Sequence, residues 1–138
     1  MADRILVDRE RWAVLYARVA VGVAFLSAVA GRFGLWSGHL NWDNFTRFIA
    51  RTGELNAFLP PSTFPILAWA ATVAETSFGI ALIAGIRVRW AAFGSALLLA
   101  WFGIAMALTA GPKSPLDYSV FSGSAAALLL AVRQKRED

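Results

Sequence analysis

Long runs of apolar residues, separated by short polar breaks, dominate the chain. Four runs approach the roughly 20 mostly apolar residues that a helix needs to cross a bilayer. They cover about residues 12–35, 64–86, 90–110 and 116–132. Because lipid offers the backbone no hydrogen-bond partners, each run should be an α-helix. The pattern predicts an all-α polytopic membrane protein in which residues 1–138 form a single membrane domain, a four-transmembrane-helix antiparallel bundle.

The breaks between the runs carry turn signals. Residues 60–63 read Pro-Pro-Ser-Thr, and Ser62 or Thr63 is expected to cap the second span. Gly85 and the basic residues after it predict a tight turn, which would make the second and third spans antiparallel neighbours. Residues 114–117 read Ser-Pro-Leu-Asp, a cap, a first-turn proline and an acid that predict the start of the fourth span.

The loop after the first span has a helical pattern of its own. Its large apolar residues recur at helical spacing, at Trp42, Phe45, Phe48 and Ile49. Asn41 or Asp43 is expected to cap this segment and Gly53 to end it. The pattern predicts a short amphipathic helix at the outer membrane interface. Two interpretations stay open: a lid packed over the bundle mouth, or a gate for an apolar ligand arriving from the bilayer.

Basic residues outside the spans are unevenly distributed. Most fall on one predicted side of the membrane: Arg4, Arg9, Arg11, Arg87, Arg89, Arg133, Lys135 and Arg136. Only three lie clearly on the other side: Arg47, Arg51 and Lys113. Since cytoplasmic loops of membrane proteins are enriched in lysine and arginine, both termini are predicted to be cytoplasmic. The net charge of +4 therefore reflects membrane orientation, and no nucleic-acid partner is expected.

Composition narrows the chemistry. Hydrophobic residues make up 58% of the chain and charged residues 16%, which excludes a conventional soluble domain. The chain has no cysteine, which excludes thiol and iron–sulfur chemistry, and its one histidine excludes a haem held by two histidines of this chain. His39 lies near acidic residues, but the spacing matches no recognised metal-ligand motif. No metal site and no intrinsic cofactor are expected.

Three ionisable residues interrupt the predicted spans. Glu75 falls near the middle of the second span, where an unpaired carboxylate costs several kcal/mol. Arg18 differs from Glu75 in predicted depth by only about 6 Å, so an Arg18–Glu75 pair is expected. Arg32 is expected to extend to water at the outer end of the first span. The pair would either fix helix register or form a polar site for ligand binding or proton relay, and Trp69 and Trp101 are deep enough to line a cavity.

Two stretches carry a family resemblance. Residues 18–27 read RVAVGVAFLS, and residues 74–87 read AETSFGIALIAGIR. Their order and spacing over residues 12–132 resemble the first two helices of the DoxX/DoxD-like family of small four-helix bacterial membrane proteins. The resemblance places the family's motif arginine and acid at Arg18 and Glu75, with Arg87 in the turn. It implies a multi-pass protein of the bacterial inner membrane.

The resemblance also implies a link to thiosulfate:quinone oxidoreductase and quinol-oxidase-associated subunits. The first hypothesis is therefore a redox-associated membrane subunit that binds a quinone near Glu75 and Arg18, with Trp69, Trp101 and Arg32 as further candidates. Because the chain has no electron carrier, any enzymatic role would be as one subunit of a quinone-dependent oxidoreductase complex with a redox partner.

Two further functions stay open. One is a non-enzymatic scaffold or assembly subunit that docks partners through faces of small residues, since such residues let membrane helices approach closely. The other is a small-solute transporter that works as a homo-oligomer. In each case membrane lipid is the expected surrounding partner.

Overall fold

All the regular secondary structure of the described part of the chain is helical. The structure is a computed structural model and describes residues 1–133. It contains six α-helices: α1 (Ala2–Arg32), α2 (Trp42–Leu55), α3 (Phe64–Ala84), α4 (Val88–Ala110), α5 (Lys113–Asp117) and α6 (Val120–Arg133). Short 3-10 turns precede α2 and α3, at Leu35–Ser37 and Pro61–Thr63.

Within residues 1–133, three helices are long and apolar enough to cross a membrane. They are α1, α3 with its preceding turn, and α4. Helix α1 begins about ten residues earlier than the predicted first span, because its charged amino-terminal turns also form regular helix. At 1.5 Å per residue this helix is about 46 Å long, well beyond the hydrocarbon thickness of a bilayer.

The predicted fourth span is divided into two helices. Residues 114–117 lie in the short helix α5, and α6 starts only at Val120 and has 14 residues. The break falls at Ser119, whose φ of 57° is a left-handed conformation that a right-handed helix does not contain. The prediction of one helix from Leu116 onwards is therefore wrong.

The amphipathic helix predicted in the first loop is confirmed as α2. The Asn41 side chain caps it by accepting a hydrogen bond from the Asp43 backbone N–H at 3.0 Å. Gly53 does not end the helix, which continues to Leu55. Gly53 instead allows the Phe64 ring to pack closely against α2, because a Cβ at Gly53 would lie 2.5 Å from that ring.

Glycines set the register of α1 against α3. A Cβ built on Gly22 would lie 2.9 Å from the Gly79 carbonyl oxygen, and one on Gly79 would lie 3.0 Å from the Gly22 carbonyl oxygen. The two backbones are therefore in direct contact, as small residues at membrane helix interfaces allow. Further along the same pair of helices, Arg18 lies beside Leu82.

The core lies between α1, α3, α4 and α6. Its buried apolar residues are Val21, Phe25, Leu82, Val88, Ala91, Ala92, Leu130 and Ala131. The predicted tight turn between α3 and α4 is confirmed, with Gly85 at φ 79° ending α3. At the same end of the molecule Arg133 of α6 lies 3.6 Å from Glu10 of α1. Lys135 and Arg136, which contributed to the predicted charge bias, lie outside the described residues.

Candidate functional site

A buried ion pair joins α1 to α3. The Arg32 Nη1 contacts the Glu75 Oε2, and the two side chains are only 10% and 3% exposed. The same Arg32 nitrogen donates a hydrogen bond to the Thr72 hydroxyl at 3.3 Å. One turn of α3 thus presents both a carboxylate and a hydroxyl to the guanidinium, since Thr72 and Glu75 are three residues apart.

The partner of Glu75 is therefore Arg32, and the predicted Arg18–Glu75 pair is wrong. Arg18 instead donates a hydrogen bond from Nε to the Leu82 carbonyl at 3.0 Å, near the carboxyl end of α3. That carbonyl belongs to the last turn, where helical carbonyls need partners from outside the helix. The contact lies about 10 Å along α3 from Glu75.

The direction of helical side chains explains why the arginines differ. Side chains of an α-helix lean towards its amino terminus. With Gly22 facing Gly79, Glu75 lies nearest to the part of α1 between the two arginines. Arg32 leans towards that level and Arg18 leans away from it. The predicted extension of Arg32 to water is also wrong, because its side chain is nine-tenths buried.

Helix α2 packs over the ion pair through Phe48. The Phe48 ring lies against the Arg32 guanidinium, with the guanidinium carbon 3.9 Å from the ring centroid. A cation against an aromatic face is stabilised by the ring quadrupole, more strongly when water is excluded. Arg32 therefore links three helices: α1, which carries it, α3 through Glu75 and Thr72, and α2 through Phe48.

An apolar cavity of about 500 Å³ opens beside this ion pair. It lies between α3 and α4 under α2, and Arg32 and Phe48 form part of its wall. Most of the remaining lining is apolar: Leu55, Leu67, Ala70, Ala71, Ala74, Leu98, Trp101, Phe102, Ala105, Met106 and Val120. Its size is in the range of small-molecule sites, about 300–1,000 Å³, which commonly combine apolar walls with a few polar groups.

The two predicted tryptophans lie in different places. Trp101 lines the cavity and donates a hydrogen bond from Nε1 to the Asn56 Oδ1 at 3.2 Å. Trp69 is outside the cavity lining and packs against Phe45, with ring centroids 4.4 Å apart. Phe33 stacks on Phe45 at 5.1 Å and lies 6.3 Å from Trp69, so the three rings form one cluster. Trp69 thus belongs to the contact that holds α2 on α1 and α3.

The polar groups of the cavity are balanced in charge. Arg32 is compensated by Glu75, and Arg51, at the cavity rim, lies 3.0 Å from Glu54. Among the described residues, the hydrogen bond and ion pair of Arg32 use Nη1 alone, while a guanidinium carries five N–H donors. The cavity can therefore offer donors to a neutral ligand that carries an acceptor oxygen.

Sequence reasoning missed Asn56, Thr72 and Phe48 as part of this site. Phe48 was predicted only as part of the amphipathic helix. The available signal was proximity to charge, because Thr72 lies one helical turn from Glu75. Asn56 carried no such signal, since its contact with Trp101 joins residues 45 positions apart.

Among residues 1–133, no three histidine, aspartate or glutamate side chains come together as metal ligands would.

The fold and the site together define a class: a helical membrane protein with a buried arginine–glutamate pair beside an apolar cavity. Comparison with known families then gives the particular group. Residues 10–117 match the family described as methylamine utilisation protein MauE, so the chain belongs to the MauE family. Both Arg32 and Glu75 lie within the matched region. Comparisons with curated proteins and with solved structures gave no match.

Proposed function

We propose that this protein is an integral membrane subunit of a redox system and that its cavity binds the head of a quinone. The observation that carries the proposal is the buried Arg32–Glu75 pair at the wall of a roughly 500 Å³ apolar cavity. The family description, methylamine utilisation, supports a redox setting, because use of an amine as a nutrient requires its oxidation.

The proposed architecture is a four-transmembrane-helix antiparallel bundle similar to that of DoxX-like proteins. Helix α6 would supply the fourth span with α5 completing its outer end. The short turn between α3 and α4 supports opposite directions for these two helices. The proposed location is the bacterial inner membrane with both termini cytoplasmic, since the basic ends of α1 and α6 lie together with the α3–α4 turn.

A quinone head suits the residues that are present. It is planar and neutral, and its carbonyl oxygens accept hydrogen bonds. The unused Arg32 donors can bind a carbonyl, and Trp101 can pack against the ring. An isoprenoid tail would lie among the alanine and leucine side chains of α3 and α4. Because both arginines of the cavity are paired with glutamates, the site does not favour an anionic ligand.

The electrons for quinone chemistry would come from a partner. Reduction of a quinone to a quinol takes two electrons and two protons. The sequence contains no cysteine and a single histidine, so we propose a partner subunit that carries a flavin, haem or iron–sulfur cluster. In this arrangement the chain supplies the binding site, and Glu75 is a candidate proton relay.

Extraction of the purified protein tests the proposal. Lipids and quinones that remain bound after mild detergent purification would be identified by mass spectrometry. We expect quinone in near-stoichiometric amount with the wild type, and less with Arg32→Met. Glu54→Gln is the control, because Glu54 is exposed and pairs with Arg51 at the rim.

Other outcomes point to the other functions. Quinone-free protein that purifies in fixed stoichiometry with another subunit would contradict the proposal and support a scaffold. Uptake of a solute by proteoliposomes that contain only this chain would support an oligomeric transporter.

A further inference from the structure

Asn56 is a buried amide whose two polar ends are both used. The residue is 6% exposed and follows the last residue of α2. Its Nδ2 donates to the Thr52 carbonyl at 2.9 Å, and its Oδ1 accepts from the Trp101 Nε1 at 3.2 Å. The first bond fixes the amide on the end of α2, so the acceptor oxygen has one defined direction. The second bond holds the Trp101 indole of α4 against this oxygen.

Trp101 is fixed although it is near the surface. Its side chain is 45% exposed, an environment in which an indole would otherwise have freedom to change rotamer. The Asn56 bond restrains the indole nitrogen, and Phe58 packs against the ring with centroids 6.3 Å apart at 63°. The indole therefore forms a fixed wall of the cavity at the side where α2 and α4 meet.

Asn56 does more than end a helix. A helix end can be capped by local groups alone, and the Asn56 backbone N–H already bonds to the Thr52 carbonyl at 3.0 Å. Asn56, Trp101 and Arg32 all line the same cavity, although three different parts of the chain carry them: the end of α2, α4 and α1.

We propose that Asn56 is a positioning residue that holds Trp101 as a stacking surface for a planar, conjugated ring. The inference rests on the proposed quinone site and adds the origin of its ligand selectivity. Stacking on the fixed indole favours a flat ring, whereas hydrogen bonding to Arg32 requires only a carbonyl. The site should therefore prefer a benzoquinone to a saturated cyclic dione with the same two carbonyls and the same alkyl tail.

Calorimetric titration of the detergent-solubilised protein with these two compounds tests the proposal. For the wild type we expect the benzoquinone to bind about fivefold more tightly, the size of a typical aromatic pair contribution. Asn56→Leu should remove most of this preference while it leaves the dione affinity nearly unchanged. Asn44→Leu is the matched control, because Asn44 lies on α2 outside the cavity lining.

A double-variant comparison separates positioning from general loosening of the fold. Trp101→Phe should lose the same preference, and Asn56→Leu combined with Trp101→Phe should lose no more than either alone, since both changes remove one interaction. Fluorine NMR of fluorotryptophan-labelled protein gives a readout that needs no ligand. The signal missing from Trp101→Phe identifies Trp101 among the six tryptophans, and it should broaden or shift in Asn56→Leu.

The results distinguish this inference from the proposed function. A wild type that binds neither compound overturns both. A wild type that binds both compounds equally well, or an Asn56→Leu variant with the wild-type preference and an unchanged Trp101 signal, overturns only the positioning role. If Asn56→Leu fails to fold, Trp101→Leu decides, because retention of the full preference in a variant without an aromatic ring at position 101 contradicts stacking on the indole.

Discussion

Arg32 and Glu75 stabilise the protein as a pair, and neither is expected to be tolerated alone. Two buried charges of opposite sign compensate each other's loss of hydration, but a single one left behind is strongly unfavourable. The burial of both side chains in the α1–α3 contact makes this the most sensitive polar interaction of the described chain.

Glu75→Gln is expected to lower the free energy of unfolding by about 3–5 kcal/mol, because it leaves the Arg32 guanidinium buried without a counter-charge. Denaturant or thermal unfolding in detergent would measure the change. Glu54→Gln should have little effect, since its pair with Arg51 is exposed. Equal stability of the two glutamine variants would show that Glu75 is not held in a buried pair.

Replacement of both Arg32 and Glu75 distinguishes the contribution of the ion pair to protein stability from its contribution to quinone binding. Arg32→Met with Glu75→Leu removes both charges and fills similar volume, so stability should return to near or above the wild-type value. Quinone binding should stay lost, because the donors of Arg32 are gone. If the double variant binds quinone as well as the wild type does, the ion pair is purely structural.

Arg18 should behave differently from Arg32. Its bond to the Leu82 carbonyl supports the end of α3, and its removal in Arg18→Leu should cost about 1.5–3 kcal/mol of stability, as for hydrogen bonds to charged groups. Binding affinity for a short-chain quinone, measured on the folded fraction, should be unchanged. A loss of affinity as large as that in Arg32→Met would show that Arg18 takes part in quinone binding.

Only part of the ion pair was predictable from the sequence. The position of Glu75 within a span followed from hydropathy, and the expectation of an arginine partner followed from the cost of an unpaired carboxylate there. Which arginine pairs with it depends on the register of α1 against α3, which the Gly22–Gly79 contact sets. The sequence around Arg18 and Arg32 does not indicate how α1 is aligned with α3.

At the scale of elements, close helix contact depends on positions without a side chain. Gly22 and Gly79 bring the α1 and α3 backbones together, and this contact places Arg32 within reach of Glu75.

The helices themselves were predictable because their apolar runs are local signals, and the Asn41 cap of α2 is confirmed. The caps predicted for α3 at Ser62 or Thr63 and for the fourth span at Ser114 are wrong, since neither helix has a side-chain cap hydrogen bond. The division between α5 and α6 was not predictable, since it depends on the left-handed backbone of Ser119 within an otherwise apolar run.

Gly79→Ala tests the contact between α1 and α3. The new methyl group would meet the Gly22 carbonyl oxygen, so the helices must separate, at a cost of about 1–3 kcal/mol. Gly31→Ala is the matched control on α1, because its nearest neighbour, a Trp36 ring carbon, lies at an ordinary contact distance of 3.7 Å. Thermal unfolding in detergent should show a lower midpoint for Gly79→Ala only. A lower midpoint for both variants, or for neither, would contradict the proposed register.

At the scale of the whole molecule, the two ends differ in charge and in the structural elements that they contain. One end holds the amino terminus of α1, the α3–α4 turn and the carboxyl end of α6, with most of the basic residues. The other end holds α2 and α5 and the ion pair with its cavity. If the basic end is cytoplasmic, the ligand site lies in the outer half of the membrane.

The absence of cysteine from the sequence makes this orientation simple to measure. A membrane-impermeant maleimide applied to intact cells, with the outer membrane permeabilised, should label Ser114→Cys and not Ala2→Cys. After cell lysis it should label both. Labelling of Ala2→Cys alone in intact cells would reverse the predicted orientation and place the cavity in the inner half.

A quinone is proposed to occupy the cavity beside Arg32 and Glu75. Photolabelling with an azido derivative of a short-chain quinone, followed by peptide mass spectrometry, tests this proposal most directly. Label is expected to concentrate on the cavity-facing residues of α3 and α4, around Ala71 and Trp101, and excess unlabelled quinone should prevent this labelling. Label spread over the lipid-facing surfaces, or label that excess quinone does not reduce, would contradict the proposal.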